Sequence, residues 1–285
     1  MVVDPTYFRK RVEALPPKTW VVIDEVQKLP SLLDEVHGLL NDYPRRYSFA
    51  LTGSSARKLK QKGVNLLAGR AINRKFFGLT RRELGKDFSI DLALAYGSLP
   101  AVWTAGSRKL KTEFLEAYAE NYIREEIQQD ALVKRLEPFI RFLEVAAILN
   151  SQTVNFSNIA RDAGCNRTTV QGYFCILVDT LVGDFVPAWK PKAKVKEVEH
   201  PKFYFFDPGV VRALKRRVHQ AVDDSEKGGL LETLVLAELR AWNHYLGRRG
   251  EISYWGTPSD SEIDFIFRSA GSTVGFEVKA SVRWK

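Results

Sequence analysis

Two short stretches carry carboxylates in patterns that could hold a metal ion or activate water, and a third carries donors that could read a base edge. The first is Asp24-Glu25, directly after Trp20-Val21-Val22-Ile23. Four apolar residues, mostly β-branched, read as a strand buried on both faces, as in a parallel sheet. Open α/β sheets bind ligands at the carboxyl ends of their strands, where these two acids fall. There the first acid can hold the Mg²⁺ of a nucleotide and the second can polarise an attacking water. A buried strand ending in solvated acids is the plainer alternative. The second stretch is Glu277-Val278-Lys279, with Asp264 upstream between Ile263 and Phe265. Residues two apart on a strand share a face, so Glu277 and Lys279 point one way and Asp264 can project beside them. Such carboxylates are costly to bury unless they are paired or bind a metal. A structural salt bridge on a two-stranded ribbon is the rival reading. The third stretch, Arg167-Thr168-Thr169-Val170-Gln171, opens the second helix of a helix-turn-helix.

The elements that position these groups follow from periodicity. One helix, Tyr7 to Leu15, precedes the first strand. After it, Pro30 or Ser31 starts a helix with Leu32, Val36, Leu39 and Leu40 on one face. Tyr47 to Leu51 reads as a second strand ending in Thr52-Gly53-Ser54-Ser55, and Ile72 to Leu79 as a third. A polar residue at the second strand's tip could face a γ-phosphate or cap the next helix. From residue 88 to about 150 the chain reads as helices, with Thr112 to Ile127 strongly periodic. Ile159-Ala160 and Ala163-Gly164 supply the first helix and turn of the helix-turn-helix. If it docks on DNA, Arg167, Thr168, Thr169 and Gln171 face the major groove, and Lys190 and Lys192 lie on a wing that contacts phosphates. A lid that only packs against the first domain is the alternative. Lys202 to Phe206 reads as a strand, and Lys227-Gly228-Gly229 as a break before a helix Leu230 to Tyr245, which puts Glu232 in that helix's first turn. Three strands close the chain at Ile252 to Trp255, Glu262 to Phe267 and Val274 to Lys279, the last two joined by a hairpin loop at Ser269 to Ser272.

The run VVIDEVQKLPSLLDEVHGLL, then FALTGSS, LLAGRAINRKFFGLTRREL and GSLPAV, resembles the prokaryotic AAA-type ATPases that carry a C-terminal domain of unknown function with a restriction-endonuclease-like core. The resemblance implies that Asp24 and Glu25 are the Walker B acids, that Ser54 or Ser55 is sensor 1, and that Arg70 is a candidate arginine finger. ATP and Mg²⁺ are the implied cofactors. A finger acting in trans would imply a dimer or ring. At the other end the constellation resembles a PD-(D/E)xK nuclease core. That implies Mg²⁺ on Asp264 and Glu277, Lys279 positioning the attacking water, and Glu232 as the acid from the preceding helix.

One expected part is missing. No G-x-x-x-x-G-K-[ST] occurs, and Gly63 to Arg70 has the wrong glycine spacing and no lysine. Without backbone amides and a lysine to cradle phosphates, Mg·ATP has lost most of its site. In the resembling family the P-loop strand lies centrally, between the strands matching Phe49 and Phe76. About 20 residues ahead of the first strand cannot hold the missing unit, which needs roughly 30, and the chain stops six residues after Lys279. The expectation is truncation at both ends and no ATP hydrolysis. The resulting fold class is α/β plus all-α: a partial AAA-type core over 1–84, a helical region with a winged helix over 85–200, and a nuclease-like end over 201–285.

Length, at 285 residues, suits two or three domains, and 27% charged with 45% hydrophobic residues is ordinary for a globular protein. No apolar run approaches a membrane span. Cys165 and Cys175 read as core thiols in a reducing cytosol, and four scattered histidines form no zinc spacing. The net charge of +9 suits an acidic partner such as nucleic acid.

Overall fold

The computed structural model describes residues 5–53, 70–122, 136–189, 200–257 and 261–281. The chain forms two compact units, the first ending at Asn73 and the second beginning at Arg74.

The first unit is a small β-α-β layer. Helix α1 (Pro5–Glu13) precedes strand β1 (Thr19–Ile23), helix α2 (Ser31–Asp42) and strand β2 (Tyr47–Leu51). The strands pair in parallel, with Val21 opposite Phe49 and Ile23 opposite Leu51. Ile23, Val26, Leu33 and Val36 are buried together, with Val21, Phe49 and Leu51 packed against them. The period of two puts Trp20 and Val22 on the other face, and each is 68% exposed. The expectation of a strand buried on both faces is therefore corrected: only one face is covered. The third expected strand is corrected too. Residues 71–77 have no strand structure. Phe76 is 91% exposed, and the backbone N–H groups of Lys75 and Phe77 donate to His244 Nε2 (2.7 Å) and Tyr245 Oη (3.3 Å) rather than to a sheet neighbour.

The second unit is built around helices. A one-turn helix, Arg81–Leu84, has a full capping box between Thr80 and Glu83. Then come α3 (Ile90–Tyr96), α4 (Pro100–Thr104), α5 (Arg108–Ala117), α6 (Leu136–Ile148), α7 (Phe156–Asp162) and α8 (Arg167–Asp179). Past Ala117 the chain turns into a π-helical segment over Tyr118–Tyr122. Strands β3 (Gly183–Val186) and β4 (Lys202–Phe205) pair antiparallel, and α9 (Pro208–Leu214) follows. The domain boundary expected at residue 200 falls inside this ribbon, because Gly183 pairs with Phe205 across it. The core of this region is apolar and aromatic, with Phe139, Phe142, Phe174, Phe203 and Phe205 all buried.

Two buried polar junctions tie α9 in place. Asp207 caps α9, accepting from Val210 N–H at 3.1 Å, and also accepts from Ser98 N–H at 2.6 Å and Ser98 Oγ at 3.2 Å. Gly97 has φ +75°, and a Cβ there would collide with the Asp207 carboxylate, so Gly97-Ser98 is shaped to receive this acid. Arg212, fully buried, pairs with Glu226 at 3.2 Å and donates to the carbonyls of Ala95, Arg217 and Gln220.

The long helix α10 (Asp224–Tyr245), capped by Asp223, runs straight through Gly228 and Gly229. The expected break there is corrected. Gly229 instead gives room to Ser151 Oγ, which a Cβ would meet at 2.7 Å. A three-stranded antiparallel sheet closes the chain: β5 (Glu251–Gly256), β6 (Glu262–Ser269) and β7 (Ser272–Phe276). The expected β6–β7 hairpin loop is present, with Ala270 at φ 48° and Gly271 at φ 81°, the left-handed pair of a two-residue turn.

Candidate functional site

At the carboxyl ends of β1 and β2 the chain brings Asp24, Glu25 and Thr52 together. Thr52 N–H donates to Ile23 O at 2.9 Å and Val26 N–H to Thr52 O at 3.0 Å, so the two strand ends are stitched one residue beyond the ladder. From there Thr52 Oγ1 donates to Asp24 Oδ1 and accepts from Glu25 N–H at 3.1 Å. Glu25 has φ 54° and ψ 45°. A non-glycine residue there costs roughly 1–2 kcal/mol, and such strain concentrates at functional positions. Asp24 is exposed and Glu25 half-buried, with Lys28 Nζ 3.9 Å from Glu25. A carboxylate with a hydroxyl beside it supplies the hard oxygens that Mg²⁺ takes.

Thr52 was the residue missed. It is the first polar position after β2, and the parallel register places it opposite Asp24, but a register is not visible in one strand alone. Ser54 and Ser55 lie outside the described residues. Arg70 does not join this site within the chain. It is exposed and its guanidinium donates to Asn41, near the end of α2. Helix α2 runs back from the strand tips for 12 residues, or about 18 Å at 1.5 Å per residue.

The C-terminal acids are arranged differently from expectation. Glu277 and Lys279 lie beyond the end of β7, so strand alternation does not align them. Their side chains pair with each other, which raises the Lys279 pKa. Asp264 is buried on β6 and accepts from Val278 N–H at 2.7 Å. Burial raises its pKa, partly countered by that N–H and assisted by Glu277. Glu232 sits well inside α10 rather than in its first turn. It accepts from Tyr204 Oη at 2.7 Å and faces Lys202 Nζ at 3.7 Å. Burial raises its pKa, with Lys202 pulling it down, while burial and Glu232 push the Tyr204 hydroxyl far up. Among the described residues, no three His, Cys, Asp or Glu side chains are grouped to hold a metal ion. Lys202, Tyr204 and Glu262 are the members of this cluster that sequence reading missed, because their neighbours come from three separate segments.

The expected helix-turn-helix is present as α7 and α8, joined by a turn at Ala163 to Asn166 with Gly164 at φ +66°. Asn166 caps α8 through Thr169 N–H at 2.7 Å. Arg167, Thr168 and Gln171 are exposed, Thr169 is half-buried, and Val170, Tyr173 and Phe174 face the core. Lys190 and Lys192 lie outside the described residues.

Comparison with known families agrees with the layer carrying Asp24. Residues 3–85 match the model of an AAA domain. This part of the chain is therefore AAA-like. Residues 88–221 match a domain of unknown function (DUF8612), and residues 227–284 match another (DUF4143). The second of these boundaries places β4 and α9 with the helical region, as the structure does. An uncharacterized protein of Mycobacterium tuberculosis and one of Mycobacterium bovis are each 27% identical to this chain over 261 residues. Those alignments cover 91% of this chain and 58% of the relatives, so the chain spans little more than half their length. No solved structure matches. Among the described residues no helix is long and apolar enough to cross a membrane.

Proposed function

We propose that the first unit is the Walker B face of an AAA-type ATP-binding domain. Asp24 is the metal-holding carboxylate, Glu25 faces the attacking water, and Thr52 orients Asp24. The observation that carries this reading is the Thr52–Asp24 hydrogen bond at the tips of two parallel strands. The donor set suits Mg²⁺, which would neutralise phosphate charge. The 285 residues contain no glycine-rich loop with its lysine, so the phosphates lack their cradle and this chain does not turn ATP over. Ser54 or Ser55 would sense the γ-phosphate. Arg70, an α2 length from the tips, would act only on a neighbouring subunit.

The test is calorimetry with Mn²⁺ and with a fluorescent ATP analogue, alongside a phosphate-release assay. Millimolar Mn²⁺ binding lost in Asp24→Asn is expected, with no phosphate release above buffer. Asp24-dependent turnover would overturn the inactivity, and Mn²⁺ binding indifferent to Asp24→Asn would overturn the metal role.

A second reading concerns DNA. Helix α6, the bridge Thr153 to Lys202, helices α7 and α8, and the β3–β4 ribbon follow in the order of a winged helix. Arg167, Thr168 and Gln171 share the exposed face of α8, which supports docking in a major groove. A salt-sensitive shift of labelled duplex, weakened about tenfold in Arg167→Ala/Gln171→Ala, is the expected result. An unchanged shift removes the reading. For a PD-(D/E)xK nuclease the geometry gives less support, since Lys279 is paired with Glu277 outside the sheet.

A further inference from the structure

The carboxylate cluster of the second unit already contains a cation. Lys202 is 6% exposed. Its Nζ lies 3.7 Å from Glu232 Oε2, forms an ion pair with Glu262 Oε1, and sits over the Tyr254 ring, 5.2 Å from its centroid. Asp264 is on the same strand as Glu262, two residues on, and lies within electrostatic range of Lys202, Glu232 and Glu262. Three carboxylates from α10 and β6 thus converge on one ammonium. Tyr204 Oη adds a donor to Glu232.

The position of this lysine is held by its backbone. Lys202 pairs with Val186 on one side and bridges to Thr153 on the other. Val154 N–H donates to Pro201 O at 2.8 Å. Its stem therefore enters from the β3–β4 ribbon, a part of the chain distinct from the α10 and β6 segments that supply the acids. Burying an ammonium costs several kcal/mol unless carboxylates surround it, and burying three carboxylates is untenable without a cation among them. Each side is therefore the other's compensation.

We propose that Lys202 is the resident cation of the Glu232–Glu262–Asp264 cluster, an autoinhibitory contact that keeps a divalent metal ion out. The ammonium lies between the oxygens such an ion would join. Displacing the lysine, by substitution or by movement of the ribbon, converts the cluster into an oxygen-lined site for Mg²⁺ or Mn²⁺. The contact also latches the ribbon onto the C-terminal sheet.

The full chain, as wild type, Lys202→Met, Lys202→Ala, Glu232→Gln and Lys202→Met/Glu232→Gln, is titrated with Mn²⁺ by calorimetry, with Asp24→Asn in every variant to silence the strand-tip site. The methionine keeps the apolar stem and removes the charge. The expected result is no Mn²⁺ binding with Lys202 present, one ion bound at least tenfold more tightly in Lys202→Met, and loss of that ion in the double variant. Mn²⁺ bound by the chain with Lys202 intact and lost in Glu232→Gln would overturn the proposal. So would a folded Lys202→Met chain that gains no ion. If neither Lys202 variant folds, the arms that keep Lys202 decide: a Glu232-dependent ion refutes the exclusion, and its absence supports it. The Asp24→Asn background makes these outcomes separate from the fate of the strand-tip reading.

Discussion

The tip of β1 and the interior of the second unit use carboxylates in opposite ways. Asp24 stands exposed at the end of a thin, one-sided sheet, held by a single hydroxyl. Asp207 and Glu226 are buried, the first receiving N–H and O–H donors from Ser98 and an N–H from Val210, the second clasped by Arg212. An exposed acid costs little to ionise and is free to meet a ligand. A buried one must be satisfied by the fold and is then committed to it. The acids that look most chemical in sequence need not be the ones the structure depends on.

The sharpest way to break this contrast is Arg212→Ala. It leaves Glu226 charged and buried, so denaturant unfolding of the full chain should lose about 3–5 kcal/mol. A loss under about 1 kcal/mol would mean the pair is not committed to the fold. Next in size is Gly97→Ala, which meets both the positive φ and the Asp207 carboxylate. About 2–4 kcal/mol is expected. A smaller effect follows from pH. Burial raises the Asp207 pKa in the folded state, although the N–H donors oppose it. The folded chain then holds that proton at pH values where the unfolded chain has released it. Its contribution is complete below the ordinary carboxylate pKa, about 4, and is lost as pH rises through the raised value. The slope in that window is at most about 1.4 kcal/mol per pH unit, and Asp207→Asn should flatten it. Smallest are the changes in the first unit. Trp20→Ser should alter stability by about 0.5 kcal/mol or less, as for a solvated side chain. Asp24→Asn should leave the unfolding midpoint unchanged while removing Mn²⁺ binding. A large stability loss in either would show that this face is structurally committed after all.

Much of the first unit was legible. The Trp20 to Ile23 and Tyr47 to Leu51 strands and the helix between them follow from apolar runs and periodicity, and Asp24-Glu25 falls at a strand tip because its strand ends there. Trp20 and Val22 misled, since a β-branched run looks the same whether or not a second layer covers it. Phe76 and Phe77 misled in a similar way: local β-propensity reads as a strand, but no partner strand pairs with them among the described residues. Gly228-Gly229 looked like a break because glycine is a poor helix former. The Asp223 cap and the packing of Ser151 against Gly229 override that preference.

By itself the sequence determined the local units: which runs are helix or strand, where the helix-turn-helix lies, that Asp24 and Glu25 end a strand, and that no phosphate-binding loop is present. These depend on side-chain periodicity and neighbours within a few residues. Only the tertiary structure decided the partners: Thr52 for Asp24, Ser98 for Asp207, Glu226 for Arg212, and Lys202 for Glu232 and Glu262. Those pairs span 14 to 109 positions in the chain. Their geometry is set by strand register and helix packing, which no local pattern encodes.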